Sequence, residues 1–191
     1  MRTILSASIK LLMEIFMIRH TSVDVPHGVC YGQTDVPLKP SFEQEAEIVK
    51  QGLAEHSFDA VYTSPLSRCI KLATYCGYPD ALRDNRLKEM NMGDWEMLAF
   101  DEIKDPQLQE WYNDFLHVPT RNGESYQDLL ARVSSFLNEI KSSGKTTGHN
   151  KIAIFAHGGV LLCAQVFARV LTPENSIQKL PSYGEIIRIS I

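Results

Sequence analysis

Apolar residues follow two patterns that alternate along the chain. The first is an uninterrupted apolar run, typical of strands buried on both faces of a parallel sheet, and it occurs at 15–18, 60–62 and 152–156. The second is a repeat of apolar residues at helical spacing, which predicts helices around 42–53, 129–140 and 160–170. Strands that alternate with helices predict the α/β class, with helices covering a buried parallel sheet.

Two polar turns predict where helices begin. Ser41, with Gln44 three positions later, predicts a capping box for the helix 42–53. Ser125, with Asp128 three positions later, is interpreted as the cap of the following long helix rather than as a substrate contact.

The first twelve residues are set apart from the rest of the chain. Lys10 interrupts their apolar region and no small-residue cleavage site follows, which argues against a signal peptide. A second methionine, Met13, stands directly before the first strand. We therefore predict an N-terminal extension at 1–12 and a single domain at 13–191, a length that one domain accommodates.

Composition and charge narrow the classes of function. The 23 acidic residues outnumber the 19 lysines and arginines, and the basic residues form no stripe, which argues against nucleic acid or an anionic membrane as a partner. The apolar stretches are too short to span a bilayer. The four cysteines contain no CxxC pair and are interpreted as free thiols of a reducing compartment. We expect a soluble, cytoplasmic protein, with a homodimer as one option for its assembly.

Several residues that could bind a ligand or react are interpreted as packing or solvated residues. Trp95 and Trp111 are interpreted as packing residues, and Cys30 as a buried thiol. Four histidines lack metal-ligand spacing and are interpreted as solvated: His27, His56, His117 and His149.

Charged and polar residues follow each of the three strands directly. The sequences are Arg19-His20, Ser64-Pro65-Leu66-Ser67-Arg68 and His157-Gly158-Gly159. Because ligands of α/β sheets bind beyond the carboxyl ends of the strands, these groups should meet at one edge. Guanidinium forks and helix N-termini match phosphate oxygens, so an anion pocket for a phosphate compound is expected.

This pocket can also perform covalent chemistry. An imidazole that faces phosphorus between cations is a competent nucleophile. The leaving oxygen then needs a proton donor, for which Glu89 is the first candidate and Glu96 the second.

The four motifs, in order along the chain, resemble those of the histidine phosphatase superfamily: Arg19-His20, Ser64 to Arg68, Glu89 in a Leu-x-Glu-x-x-x-Gly-x-Trp-Glu context, and Ala156-His157-Gly158-Gly159. The resemblance implies a three-layer α/β/α sandwich with a mostly parallel sheet, and catalysis without a metal or other cofactor. It also implies that His20 becomes phosphohistidine, that Arg19, Arg68 and His157 hold the phosphoryl oxygens, and that Glu89 is the acid and base. The chain departs from the family pattern at Thr21 and Pro26, which affects the outline of the first loop.

The segment 28–38 points to a particular small-molecule phosphate ester. Its sequence resembles the corresponding loop of α-ribazole phosphatases, which implies hydrolysis of α-ribazole 5′-phosphate to α-ribazole in cobalamin assembly. Tyr31, Gly32 and Gln33 are then substrate-loop residues, with Tyr31 facing the base and Gly32 allowing close approach. Thr34 is predicted to donate to a phosphate oxygen.

Other functions stay open at this point. A phosphatase of other or broad specificity is the nearest alternative. A phosphoglycerate mutase comes next, although mutases typically continue the last motif as His-Gly-Asn, where this chain has Gly159. A phosphate-binding module without turnover is the remaining alternative, supported only by Thr21 and Pro26.

Overall fold

A single five-stranded sheet organises the described part of the protein. The computed structural model describes residues 12–191, and its strands are β1 (Glu14–Arg19), β2 (Ala60–Thr63), β3 (Leu82–Arg83), β4 (Lys151–Ala156) and β5 (Ile186–Ser190). Their order across the sheet is β3-β2-β4-β1-β5. The first four are parallel to one another, and β5 runs antiparallel to β1 at the edge.

Helices connect these strands. They are α1 (Phe42–Leu53), α2 (Ser67–Tyr75), α3 (Gln107–Asn113), α4 (Tyr126–Thr147), α5 (Gly158–Phe167) and α6 (Pro173–Ser176). Short 3-10 turns occupy Asn85–Leu87, Gly93–Trp95 and Ile177–Lys179.

The alternation of side chains along β1 divides the core into two layers. Ile15 and Met17 pack with α4 and α5 on one face. Phe16 and Ile18 pack with α1 and α2 on the other. Helices therefore cover both faces of a mostly parallel sheet, and the predicted three-layer α/β/α sandwich is confirmed.

One of the two predicted helix starts is correct. Ser125 accepts from the backbone N–H of Asp128, whose carboxylate accepts from Ser125 in return, which completes a capping box. The capping box at Ser41 is wrong. The Ser41 hydroxyl donates to Oε1 of Glu45, at 2.6 Å, and accepts no cap hydrogen bond, because the backbone of Ser41 (φ −74°, ψ 1°) is not in the extended conformation typical of an N-cap residue.

The last predicted helix also ends earlier than its apolar pattern suggested. α5 stops at Phe167, and Arg169 adopts a left-handed conformation with φ of 61°. The apolar residue Val170 therefore lies outside the helix and is exposed.

A third apolar cluster lies between the loop around Cys30 and the segment that follows Trp95. Its buried members are Cys30, Met92, Trp95 and Ile103, and Phe100, Leu108 and Trp111 pack against them. The backbone of Cys30 donates to Leu98 (2.8 Å) and accepts from Met97 (2.7 Å), which joins the two segments. We call residues 96–118 the covering segment, and they contribute Phe100, Ile103, Leu108 and Trp111 to this cluster. No periodic pattern in the sequence predicted this segment.

The ordinary roles assigned to single residues are mostly correct. Trp95 is buried and donates from Nε1 to Asp105, and all four cysteines, which lie within the described residues, are free and buried. His27 and His117 are exposed. His56 departs from the prediction, because its ring packs with its centroid 4.6 Å from that of Phe16.

Two expectations concern the ends and surface of the chain. The predicted extension at 1–12 falls, except for Leu12, outside the described residues, while Met13 is buried and pairs with Ile191 through the backbone. Within residues 12–191, every helix is too short or too polar to cross a membrane.

Candidate active site

The carboxyl ends of the three central strands bring the predicted groups together. β1 and β4 are neighbours in register, with Arg19 opposite Ala156, so His20 and His157 follow side by side. Both histidines are buried, and their ring centroids are 5.1 Å apart. Arg68, in the first turn of α2, approaches from the end of β2.

The environment of His20 leaves one ring nitrogen ready to react. Nδ1 lies 2.8 Å from the carbonyl oxygen of Thr21 and therefore carries the proton, which leaves the lone pair on Nε2. Burial, together with the positive charges of Arg68 and Arg19, lowers the pKa of His20 to about 3. Since Thr21 acts through its main-chain carbonyl, the departure from the family pattern at this position does not disturb the contact.

Arg68 is fully buried and all three of its nitrogens have protein partners. Nη2 donates to the carbonyl of Gly32 (2.6 Å), Nη1 to the carbonyl of Thr34 (2.9 Å) and Nε to Nδ1 of His157 (3.3 Å). An arginine Nε can only donate, so Nδ1 of His157 is the acceptor and Nε2 carries the proton. Nε2 lies 2.7 Å from the hydroxyl oxygen of Ser64. Burial, followed by the nearby positive charges, lowers the pKa of His157 well below its usual range.

Arg19 also lies near His20, and both residues line the same cavity. Its guanidinium lies 4.0 Å from the centre of the Tyr183 ring, and Nη1 donates to the carbonyl of Pro181. Its buried Nε finds no hydrogen-bond partner among residues 12–191. A buried donor without a partner beside the nucleophile is suited to an incoming phosphoryl oxygen.

Glu89 lies at the N-terminus of α5, on the wall of the same cavity as His20. Its Oε2 accepts from the backbone N–H of Gly159 (3.1 Å) and its Oε1 from that of Met90 (2.9 Å). A Cβ atom at position 159 would collide with Oε1 of Glu89. The second glycine of His157-Gly158-Gly159 is therefore required for the observed position of the carboxylate.

Glu96, the second candidate for the acid, contacts backbone instead. It accepts from the N–H groups of Gly32 (3.1 Å), Gln33 (2.7 Å) and Thr34 (2.9 Å). Burial raises the pKa of this carboxyl, but the hydrogen bonds from Thr34, Gln33 and Gly32 outweigh it and hold the pKa below the usual value. A carboxylate whose pKa is held low by backbone donors is poorly suited to give a proton, and Glu96 does not line the cavity, so Glu89 stays the candidate for the acid.

The predicted substrate loop divides into two parts. Tyr31 lines the cavity, and its hydroxyl lies 2.7 Å from that of Tyr183. Gly32, Gln33 and Thr34, like Arg68 and His157, do not line the cavity formed by the described residues, and they bind protein groups. A Cβ at Gly32 would collide with the carbonyl of Met90, so the observed loop requires a glycine there, while the substrate contacts of these three residues stay predictions.

A cavity of about 360 Å³ extends from His20 and Glu89 into the protein. Its wall is largely apolar: Val29, Cys30, Met90, Met92, Phe100, Trp111, Tyr126, Leu129, Leu162, Ile177 and Leu180. The interpretation of Trp111 as a packing residue is incomplete, since it also lines this wall. These residues come from segments distant in sequence, and no pattern in the sequence predicted that they would form one wall.

The described residues also answer a question about metals. Nowhere in 12–191 do three His, Cys, Asp or Glu side chains come together as a metal would require. Catalysis without a metal stays a prediction, and activity in excess chelator is the measurement that tests it.

The comparison with known families agrees with this geometry. The profile of the histidine phosphatase superfamily (branch 1) matches residues 15–181. The protein therefore belongs to the histidine phosphatase superfamily. Relatives that are similar to this chain include phosphatases and mutases.

Individual relatives are similar over most of their length. The 2,3-bisphosphoglycerate-dependent phosphoglycerate mutase of Cytophaga hutchinsonii is 30% identical over 153 residues, which cover 75% of this chain and 71% of the mutase. The adenosylcobalamin/alpha-ribazole phosphatase of Escherichia coli K12 is 28% identical over 162 residues, covering 78% of this chain and 75% of that enzyme. The crystal structure of a candidate alpha-ribazole-5′-P phosphatase from Escherichia coli K-12 superposes with a TM-score of 0.83 at 25% identity, covering 94% and 90% of the two chains.

Proposed function

We propose that the protein is a phosphomonoesterase that works through a phosphohistidine. The observation that carries the proposal is the state of His20: its imidazole is neutral, its Nε2 lone pair is free of the proton, and Arg19 and Arg68 lie beside it. Cations that neutralise the oxygens of a transferring phosphoryl group supply much of the rate of such reactions.

The reaction has two steps. Nε2 of His20 attacks phosphorus while the ester P–O bond breaks, and the carboxylic acid of Glu89 gives its proton to the leaving alkoxide oxygen. The Glu89 carboxylate then takes a proton from water, whose oxygen attacks phosphorus as the P–N bond breaks. Inorganic phosphate leaves, His20 regains its lone pair, and Glu89 is again protonated.

The alcohol part of the substrate is proposed to be α-ribazole. Support comes from the apolar wall, since Trp111, Phe100 and Tyr31 offer aromatic faces to a benzimidazole base. The resemblance of the loop 28–38 to α-ribazole phosphatases agrees with this. A small charged ester such as 3-phosphoglycerate would leave much of the wall unfilled and place its carboxylate against apolar side chains, which is costly.

A substrate panel tests the proposal. Phosphate release is measured with α-ribazole 5′-phosphate, phosphoserine, 3-phosphoglycerate and p-nitrophenyl phosphate, and we expect kcat/KM for the first to exceed that for the two small biological esters by about 100-fold. Equal or faster turnover of phosphoserine would reject α-ribazole and favour a phosphatase of other or broad specificity. Transfer of phosphate between the hydroxyls of glycerate, rather than to water, would identify a mutase.

A further inference from the structure

A carboxylate outside the reacting groups binds the backbone that holds Arg68. Glu96 receives three N–H groups in a row, those of Gly32, Gln33 and Thr34, at 2.7–3.1 Å. We call this stretch, residues 32–34, the loop bracket. Its backbone donors point at Glu96 on one side, and two of its carbonyls point at Arg68 on the other.

The same two residues take part in both sets of contacts. The amides of Gly32 and Thr34 bind Glu96, while their carbonyls accept from Nη2 and Nη1 of Arg68, at 2.6 and 2.9 Å. The carbonyl of Gly32 and the N–H of Gln33 belong to one planar peptide group, so the hydrogen bond from Gln33 to Glu96 fixes the plane whose carbonyl accepts from Nη2 of Arg68. The orientation of the Arg68 guanidinium therefore depends on the position of the Glu96 carboxylate.

We propose that Glu96 is a positioning residue for phosphoryl binding: through the loop bracket, it aims the guanidinium of Arg68 at the oxygens of the phosphoryl group held by His20. The proposal rests on the proposed function, because it gives Arg68 the role of a phosphoryl ligand. Arg68 has five N–H donors, three of which bind Gly32, Thr34 and His157, so the guanidinium keeps two donors for the ligand.

The start of α2 is held by a separate contact. Asp35 accepts from the backbone N–H of Ser67 (3.0 Å) and from its hydroxyl (2.8 Å), one residue before Arg68. Loss of the Glu96 contacts should therefore leave the helix in place and change mainly the side chain of Arg68. A variant of Glu96 should therefore keep its fold and lose only the orientation of Arg68, and kinetic measurements can detect that loss.

The first experiment is a double-mutant cycle with p-nitrophenyl phosphate, a substrate that does not depend on the identity of the natural alcohol. Glu96→Gln keeps the size of the side chain but turns an NH2 group toward backbone donors. We expect kcat/KM to fall and the inhibition constant of inorganic phosphate to rise, each by about 10-fold. In an Arg68→Met background the same change should cost less than about 2-fold, because the positioned group is absent. Equal losses in both backgrounds would overturn the proposal.

A second experiment separates positioning from acid catalysis. The Glu89→Gln loss should be far smaller for p-nitrophenyl phosphate than for an alkyl phosphate, since p-nitrophenolate leaves without a proton. The Glu96→Gln loss should be the same for both esters. A Glu96→Gln loss that shrank with the better leaving group would make Glu96 an acid and contradict the proposal.

Controls keep the result interpretable. Glu102→Gln changes an exposed glutamate of the covering segment and should leave both constants unchanged. If Glu96→Gln does not fold, Glu96→Asp, which keeps the charge at a shorter reach, takes its place in the cycle and should show a smaller loss that again vanishes with Arg68→Met. Calorimetric binding of inorganic phosphate supplies a readout without turnover, so a wild-type protein that binds phosphate but hydrolyses nothing would reject the proposed function while still testing Glu96.

Discussion

The phosphoryl end and the apolar end of the active site are built in different ways. At the phosphoryl end, His20, Arg68 and His157 follow buried strands, and backbone carbonyls or neighbouring side chains hold their nitrogens. At the apolar end, the wall is assembled from the covering segment, α4, α5 and the turn at Ile177. Ile177 and Leu180 there are about half exposed.

The difference indicates a division of labour. Groups at the ends of sheet strands are held by the core and can keep the geometry that phosphoryl transfer demands. Side chains on connecting segments can change without disturbing that geometry. We therefore expect changes at the two ends to affect different kinetic constants.

The largest effect should come from the phosphoryl end. His20→Ala removes the nucleophile, and we expect kcat to fall by about 10⁴-fold or more for every ester tested. Quenching of wild-type protein with alkaline denaturant during turnover should trap phosphate on His20, because the P–N bond survives in alkali, with none trapped in the variant. His117→Ala, at an exposed histidine, is the matched control. Full activity in His20→Ala, or label on another residue, would exclude this mechanism.

A smaller and selective effect is expected at the apolar end. Trp111→Ala removes one aromatic face of the wall, so KM for α-ribazole 5′-phosphate should rise by about 10-fold, while turnover of phosphoserine stays within about 2-fold. Gln109→Ala changes an exposed residue of the same helix, α3, and should alter neither. Equal losses for both esters in Trp111→Ala would show that the two ends are not separable.

The last prediction concerns how the stability of the folded protein depends on pH. The pKa of His20 is about 3 in the folded protein and about 6.5 in an unfolded chain, so between these values the unfolded state binds a proton that the folded state excludes. Stability is then greatest above pH 6.5 and falls as the pH drops toward 3. His20→Asn removes a linkage of about 3 kcal/mol between pH 6.5 and 4, so the decline in Tm over that range should become shallower by roughly 6–12 °C. Trp111→Ala should keep the wild-type slope, and an unchanged slope in His20→Asn would contradict the buried neutral imidazole.

Much of the phosphoryl end was predictable because it depends on local signals. Continuous apolar runs identify the buried strands, and the polar residues directly after them meet because parallel strands end at one edge. Arg19, His20, Arg68 and His157 were found in this way. Glu89 was the first candidate for the acid by its residue type and its position after a short strand, now seen to be two residues long, and the family resemblance implied the same role.

The remainder depends on contacts between segments far apart in sequence. Glu96 became the second candidate for the acid because its residue type fits that role, whereas three of its four backbone partners lie about 60 positions earlier. The apolar wall has no periodicity of its own. The capping prediction at Ser41 failed because residue spacing does not reveal the backbone conformation, and Ser41 is not extended as an N-cap residue usually is.

The order of strands in the sheet has a consequence for synthesis of the protein. The strand that leads to His20 is made first, yet both of its partners, β4 and β5, lie in the last quarter of the described chain. The nascent nucleophile therefore leaves the ribosome on an unpaired apolar strand and waits for more than 130 residues to follow. Activity should appear late and all at once during translation, and the early segment is where a chaperone would be needed most.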